Sequence, residues 1–130
     1  MTLRILITGS RAWKDRDAIR SALEDVVDAA QDRDVSLLRD EITVVHGAAK
    51  GADRIAGEIA AELGCTVEAH PADWGRHGKA AGPIRNTEMV RLGADVCLAF
   101  PLQQSIGTRG CMQLAKAAGI PILPGEQGAA

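Results

Sequence analysis

Four stretches of the chain concentrate groups suited to holding negatively charged oxygen. Thr8-Gly9-Ser10-Arg11 sets a glycine that lets backbone amides come close to a ligand beside a hydroxyl and a guanidinium fork suited to phosphate. His46-Gly47-Ala48-Ala49-Lys50-Gly51-Ala52-Asp53 places small residues ahead of an apolar-striped segment, the arrangement of an anion cradle at a positive helix end. Three residues separate its glycines and Ala52-Asp53 follows, so it fails the Walker A spacing and P-loop hydrolysis of ATP or GTP is disfavoured. Asp53 reads first as a helix cap and second as the acceptor of a ribose hydroxyl. Residues 71–83 form the longest stretch read as irregular, and Trp74, Arg76, His77 and Lys79 give it the apolar face and donors of a lid over a nucleotide. Arg85 and Asn86 stand where that stretch would deliver its ligand, and Arg85 is the strongest single candidate. Ser105, Gly107 and Thr108 at a further helix start offer an amide and hydroxyls as the second wall.

Other chemistry competes at these positions. Glu88 is a general-base candidate if partly buried, although a surface carboxylate is the more ordinary reading. Cys111, beside Arg109, would be reactive if its pKa were lowered, but inert burial is the default for a free thiol. His70, Asp73 and His77 include metal-ligand types without the spacing of a defined site, so no metal and no resident cofactor are expected. Trp13 reads as packing rather than as a base platform, and Met89 as core.

The elements that must position these groups are visible as periodicities. Apolar, β-branched runs occupy residues 3–8, 42–46, 65–70, 96–100 and 121–123. Between them, Ile19, Leu23, Val26, Val27 and Ala30 form one helical stripe, and Ile55, Ile59 and Leu63 with Ala56 and Ala60 form another. Shorter helical patterns at 84–92 and 108–118 close on Gly93 and Gly119, suited to a left-handed stop. Such alternation predicts an α/β fold, an open doubly wound sheet of about five mainly parallel strands with helices on both faces. Ligands of such sheets bind beyond the carboxyl ends of the strands where the strand order reverses, which is where the anion-binding stretches fall.

Composition narrows the classes. A chain of 130 residues with 46% hydrophobic and 25% charged residues is an ordinary core-forming domain. No apolar run is long enough for a membrane span, and the N-terminus lacks a secretory pattern, so no membrane partner and a cytoplasmic location are expected. Three cysteines without a CxxC pair predict buried free thiols. The net charge of −2 removes the simple electrostatic case for duplex DNA. With one Phe, two Trp and no Tyr, a platform stacking successive bases is poorly supplied. Residues 15–41 hold nine acids against four bases, so the rest of the chain, with the post-strand loops, is net basic and favours an anionic ligand. Residues 1–125 are expected to form the domain and 126–130 a frayed tail.

In this order, LITGSR, VVHGAAKGADRIA, GPIRNTEMV and LAFP followed by SIGT resemble the SLOG superfamily over about residues 3 to 123, most nearly its small YspA/YpsA-related members, often found in bacteria and phages. The resemblance implies a Rossmann-like nucleotide-binding domain that pairs as a homodimer, with distant relation to the Lonely Guy phosphoribohydrolases and to DprA. Arg85 and Met89 match the RKxxM helix of the Lonely Guy enzymes, with Asn86 for Lys, and Gly107-Thr108 match their GT. Cys111 stands where those enzymes carry the catalytic Glu, and a neutral thiol does not compensate the positive charge that develops on a ribose ring. The leading expectation is therefore binding of a nucleotide or nucleotide-derived phosphate ligand through Gly9, Ser10, Arg11, Gly47, Lys50, Gly51, Asp53, Trp74, Lys79, Arg85, Asn86, Ser105, Gly107 and Thr108. A nucleoside 5′-monophosphate N-glycosidase using Arg85, with Glu88 or a Cys111 thiolate in place of the missing carboxylate, and a DprA-like single-strand DNA binder, are the alternatives.

Overall fold

A computed structural model describes residues 2–103 and 105–124. Strands β1 (Leu3–Gly9), β2 (Ile42–His46), β3 (Thr66–Ala69), β4 (Val96–Phe100) and β5 (Ile122–Pro124) alternate with helices α1 (Arg16–Arg33), α2 (Ala52–Glu62), α3 (Trp74–His77), α4 (Ala81–Leu92) and α5 (Ile106–Ala117). The sheet order is β3-β2-β1-β4-β5, every pair parallel. β1 is the centre: Ile5 pairs with Val44 on one side and with Val96 on the other. The chain first builds outward to β3, then crosses back to place β4 against β1, so the order reverses between those two strands. This is the expected Rossmann-like doubly wound sheet. The expected tail at 126–130 lies outside the described residues.

The pleat sends alternate residues of each strand to opposite cores. Ile5, Ile7, Val44, Leu98 and Phe100 face α1 and α2, where Ile19, Leu23, Val27, Ala56 and Ile59 cover them. Leu6, Val45 and Cys97 face the other layer, with Met89 and Val90 of α4 and Cys111 and Ala115 of α5. Trp13 is 1% exposed and packs edge-on against Phe100 with ring centroids 5.3 Å apart, while its indole N–H donates to the Asp15 carbonyl. It is core, as its surroundings in sequence indicated. Asp15 caps α1 by accepting from the Ala18 amide. At the sheet's far side Arg4 makes two bonds to Glu68, 3.1 and 2.9 Å, reaching from β1 across β2 to β3.

Residues 71–83 are mostly helical, which corrects the irregular reading. Asp73 caps α3 by accepting from the Arg76 amide, a 3₁₀ turn covers Gly78–Ala80, and α4 begins at Ala81. Pro83 is then the third helical residue, where its missing N–H breaks no helical bond. The helix is hidden in sequence because residues 73–80 are all exposed and so show no apolar period, and because Gly75, Gly78 and Gly82 lower the local propensity.

Candidate functional site

A cleft of about 490 Å³ opens beyond the carboxyl ends of β1 and β4, at the point where the strand order reverses. The β1–α1 loop supplies Gly9, Ser10 and Arg11; α2 supplies Asp53; α3 and α4 supply Trp74, Arg85 and Asn86; the start of α5 supplies Ser105, Gly107 and Thr108. Four segments far apart in sequence therefore meet at one place. A smaller hollow of about 340 Å³ adjoins it, lined by Gly47 and Lys50 and sharing Arg11, Trp74 and Arg85 with the cleft.

Close backbone approach explains the glycines. A Cβ on Gly9 would stand 2.4 Å from that of Ala52, and one on Gly51 would stand 2.5 Å from the Ser10 and Arg11 carbonyl oxygens. Gly51 also has φ +83°, a conformation that L side chains adopt only with strain. These contacts clamp the β1–α1 loop to the start of α2, and the Ala52 amide donates to the Ser10 carbonyl (3.1 Å). Within the β1–α1 loop, the Ser10 hydroxyl accepts from the Ala12 amide.

Arg85 ties the walls together. It donates through Nη1 to the Gly47 and His70 carbonyls and through Nε to Asn86 Oδ1 (2.7 Å). Asn86 in turn donates to the Gly107 carbonyl at 3.4 Å. Burial lowers the Arg85 pKa, opposed by nearby Asp53, and a guanidinium remains cationic through such a shift. Arg11 is more exposed, and its guanidinium lies 5.3 Å from the Trp74 ring centroid in a cation–π contact.

Asp53 is the carboxylate that the described residues bring to the cleft. Its Oδ2 accepts from the amides of Gly47 (3.0 Å) and Ala49 (3.4 Å), while Oδ1 is buried without a partner among the described residues. Burial pushes the carboxyl up to about 6, against the pull of those two amides, Arg85 and Arg11. Gly51, not Asp53, holds the capping position of α2, so the expected helix cap is corrected: Asp53 folds back and satisfies the loop before the helix. The expected cradle at α2 changes meaning with it. Amides that would have met a phosphate already meet a carboxylate of the same chain.

Other expected residues fall outside the cleft. Lys79 is exposed on the turn before α4 and lines neither hollow; Gly51 acts through backbone packing. Glu88 lies on the exposed stripe of α4 and lines a separate groove with Pro83, Ile84, Thr87 and Arg91. The helical period that turns Asn86 and Met89 inward turns Glu88 away. Cys111 is fully buried in the second turn of α5, and burial pushes its thiol up despite a hydrogen bond with Thr8, so the lowered pKa considered from sequence is corrected. His70, Asp73 and His77 do not converge: His70 Nε2 meets Glu68 at 2.7 Å and Asp73 caps α3. Among the described residues no cluster of His, Cys, Asp or Glu could hold a metal ion.

Two residues named from sequence only as the starts of their stretches, with no role of their own, also shape the site. His46 Nδ1 accepts from the Ala48 amide (2.9 Å), supporting a loop in which Ala48 has φ 59°. Burial first, then His70 and Arg85, lower the His46 pKa, which suits that acceptor role. Thr8, buried at the end of β1, lines the cleft. A polar residue ending a buried apolar strand was the available signal for both.

Fold and cleft together define a Rossmann-like α/β domain with a crevice at its switch point. The chain belongs to the YspA, cpYpsA-related SLOG family, whose profile matches residues 3–77. That match takes in β1 through α3, whereas the α4 and α5 walls of the cleft lie beyond it. The chain is 50% identical over 125 residues to the Gene 61 protein of Mycobacterium phage D29, covering 92% of this chain and 94% of that one. In structure it resembles DNA processing protein A (DprA) from Streptococcus pneumoniae, with a TM-score of 0.70 at 17% identity over 95% of this chain and 50% of that one. It also resembles DprA from Helicobacter pylori, described for its single-stranded DNA binding mode, with a TM-score of 0.63 at 16% identity over 94% of this chain and 64% of that one. The chain thus spans about half to two thirds of those proteins, and the likeness shows the fold. No helix among the described residues is long and apolar enough to cross a membrane.

Proposed function

We propose that the cleft binds a nucleotide or a nucleotide-derived phosphate ligand, as a sensor rather than as an enzyme. The observation that carries this reading is the convergence of Ser10 and Arg11, Arg85 and Asn86, and Gly107 and Thr108 at the switch point of the sheet. Helix α5 presents its positive end there, and the Ser105 hydroxyl accepts from the Leu102 amide instead of capping it, so that end is open to a phosphate. Arg11 supplies charge at the rim, and Trp74 an apolar face for a base. Gly47, Gly51 and Lys50 belong to the scaffold and rim of this site. Isothermal titration with AMP, ADP-ribose, NAD and cyclic nucleotides tests the reading: heat from at least one supports it, and none from any, with folded protein, refutes it. An Arg11→Ala variant should bind at least about ten-fold more weakly, the size of a lost charge-assisted bond, with stability within about 0.5 kcal/mol because the residue is exposed.

Hydrolysis of a glycosidic bond is a weaker reading, because Glu88 faces away from the cleft and the buried Cys111 thiol resists ionisation. A second reading is single-stranded DNA binding at the same cleft. The solvent-facing Arg11–Trp74 pair at its edge favours it, being able to stack a base, and so does the fold shared with DprA. A steep loss of affinity with salt in a gel shift would support it, and weak or salt-insensitive binding would reject it. Three free thiols suit a reducing compartment, so the cytoplasm is the proposed location. The homodimer implied by the family would cover apolar side chains such as Ile84 and Leu92 on the outside of α4, and sedimentation measures it.

A further inference from the structure

Asp53 offers an acceptor that nothing among the described residues uses. Its Oδ2 is pinned by the Gly47 and Ala49 amides, so the carboxylate is not free to turn, and Oδ1 has no partner among the described residues although the side chain is 6% exposed. Buried polar atoms are nearly always paired, and an orphan beside a cleft points to a ligand group. No side-chain or backbone donor of the described residues reaches Oδ1: Arg85 spends Nε and Nη1 on Asn86 and on the Gly47 and His70 carbonyls, and the Arg11 guanidinium lies over the Trp74 ring. The partner must be a donor. A phosphate would be repelled by the carboxylate, and an ammonium group by Arg85 and Arg11, which leaves a neutral donor.

We propose that Asp53 Oδ1 receives a sugar hydroxyl of the ligand, so that the cleft takes a ribonucleotide with a free 2′ or 3′ hydroxyl. The inference rests on the nucleotide reading above and sharpens it. A phosphate at the open end of α5 and a hydroxyl at Asp53 would place the two ends of one ribose 5′-phosphate on two of the segments that line the cleft. A DNA strand supplies no 2′ hydroxyl, and its internal 3′ oxygens are esterified, so the same orphan atom argues for a free ribonucleotide over a single strand. The remaining neutral donor on such a ligand is an amino group of the base.

Titration of the full chain with AMP, 2′-deoxy-AMP, 3′-deoxy-AMP and inosine 5′-monophosphate separates these cases. At least one deoxy analogue should bind about ten-fold or more weakly than AMP, the effect of losing a hydrogen bond to a charged group, while the inosine nucleotide stays within about three-fold. Equal affinities for AMP and both deoxy analogues overturn the hydroxyl assignment and leave nucleotide binding standing. A loss confined to the inosine nucleotide assigns Oδ1 to the base and likewise overturns it. Absence of binding by every nucleotide overturns both readings. An Asp53→Asn variant should bind AMP and the discriminated analogue alike, and the comparison in the wild-type chain holds whether or not that variant folds.

Discussion

Asp53→Asn tests how the site is held before any ligand arrives. The folded chain raises this carboxyl from 3.8 to about 6, chiefly by burial. At about 1.4 kcal/mol per pH unit, the folded chain disfavours the ionised carboxylate by about 3 kcal/mol relative to the unfolded chain. Well below pH 3.8 the group is protonated in both folded and unfolded chains, and the cost is absent. Between 3.8 and about 6 the folded chain retains a proton that the unfolded chain has lost, so the stability attributable to Asp53 falls as pH rises, and above about 6 the loss is complete. Asparagine imitates the protonated state, because its carbonyl oxygen can still accept from Gly47 and Ala49. Urea unfolding of both proteins at pH 4, 5, 6 and 7 should show the variant's relative stability increasing by about 2.4 kcal/mol across the series, the rest of the effect lying below pH 4. Any fixed difference in amide geometry displaces the whole curve without bending it, and titration of Glu68 or His46 is common to both chains and cancels. A difference independent of pH would show that Asp53 is not desolvated. A difference that turned against the variant as pH rose would show that Arg85, Arg11 and the loop amides outweigh burial.

Gly47→Ala places a Cβ 2.4 Å from Arg85 Nη1, so the guanidinium must give way; stability should fall by about 1–3 kcal/mol, as for other overpacked sites, and nucleotide affinity with it, whereas unchanged binding in a titration would show that Arg85's seat is irrelevant. Burial pushes the Cys97 thiol up to about 12 and raises Cys111 as well, and both are fully buried. Native protein at pH 8 should therefore take up a thiol reagent at Cys111 only as fast as the chain opens, and immediate labelling there, read by mass spectrometry, would contradict the packing of α5. Glu88→Gln should leave nucleotide affinity within about two-fold because the residue lies outside the cleft; chromatography of either protein with AMP should show no free base, and release that depended on Glu88 would restore the glycosidase reading.

Periodicity made the sheet legible. The runs at 42–46 and 96–100 are strands with those limits because they are buried on both faces and end at residues with a different task, His46 and Pro101. The helix-rich stretch at 73–83 was not legible: it is exposed, glycine-bearing and short of apolar residues, and its helices are set by the Asp73 cap and by packing of Trp74 near Gly82. At the site, residue type was a good guide wherever the backbone had one way to turn. Ser10, Arg11, Gly107 and Thr108 follow strands whose ends are fixed by the sheet, and they line the cleft. It was a poor guide where a helix decides: Asn86 and Glu88 are equally polar and two residues apart, and rotation of about 100° per residue sends one inward and the other to solvent.

The two helix starts at the cleft look alike in sequence, each a small-residue approach to an amphipathic helix, yet the structure gives them opposite uses. At α2 the chain has installed its own anion: Asp53 takes the Gly47 and Ala49 amides, and the Ala52 amide donates to Ser10. Donors engaged in this way cannot also neutralise a phosphate without first releasing the carboxylate. At α5 the residue that should cap, Ser105, turns its hydroxyl to the Leu102 amide, and Thr108 shares the cleft with it. Arg85 and Asn86 then carry a continuous line of hydrogen bonds from Gly47 to Gly107, setting the separation of the closed end from the open one. A ligand bridging them must therefore be anionic towards α5 and a neutral donor towards α2. That polarity follows from the backbone donors already in use, and it constrains the ligand more tightly than the count of basic residues around the rim.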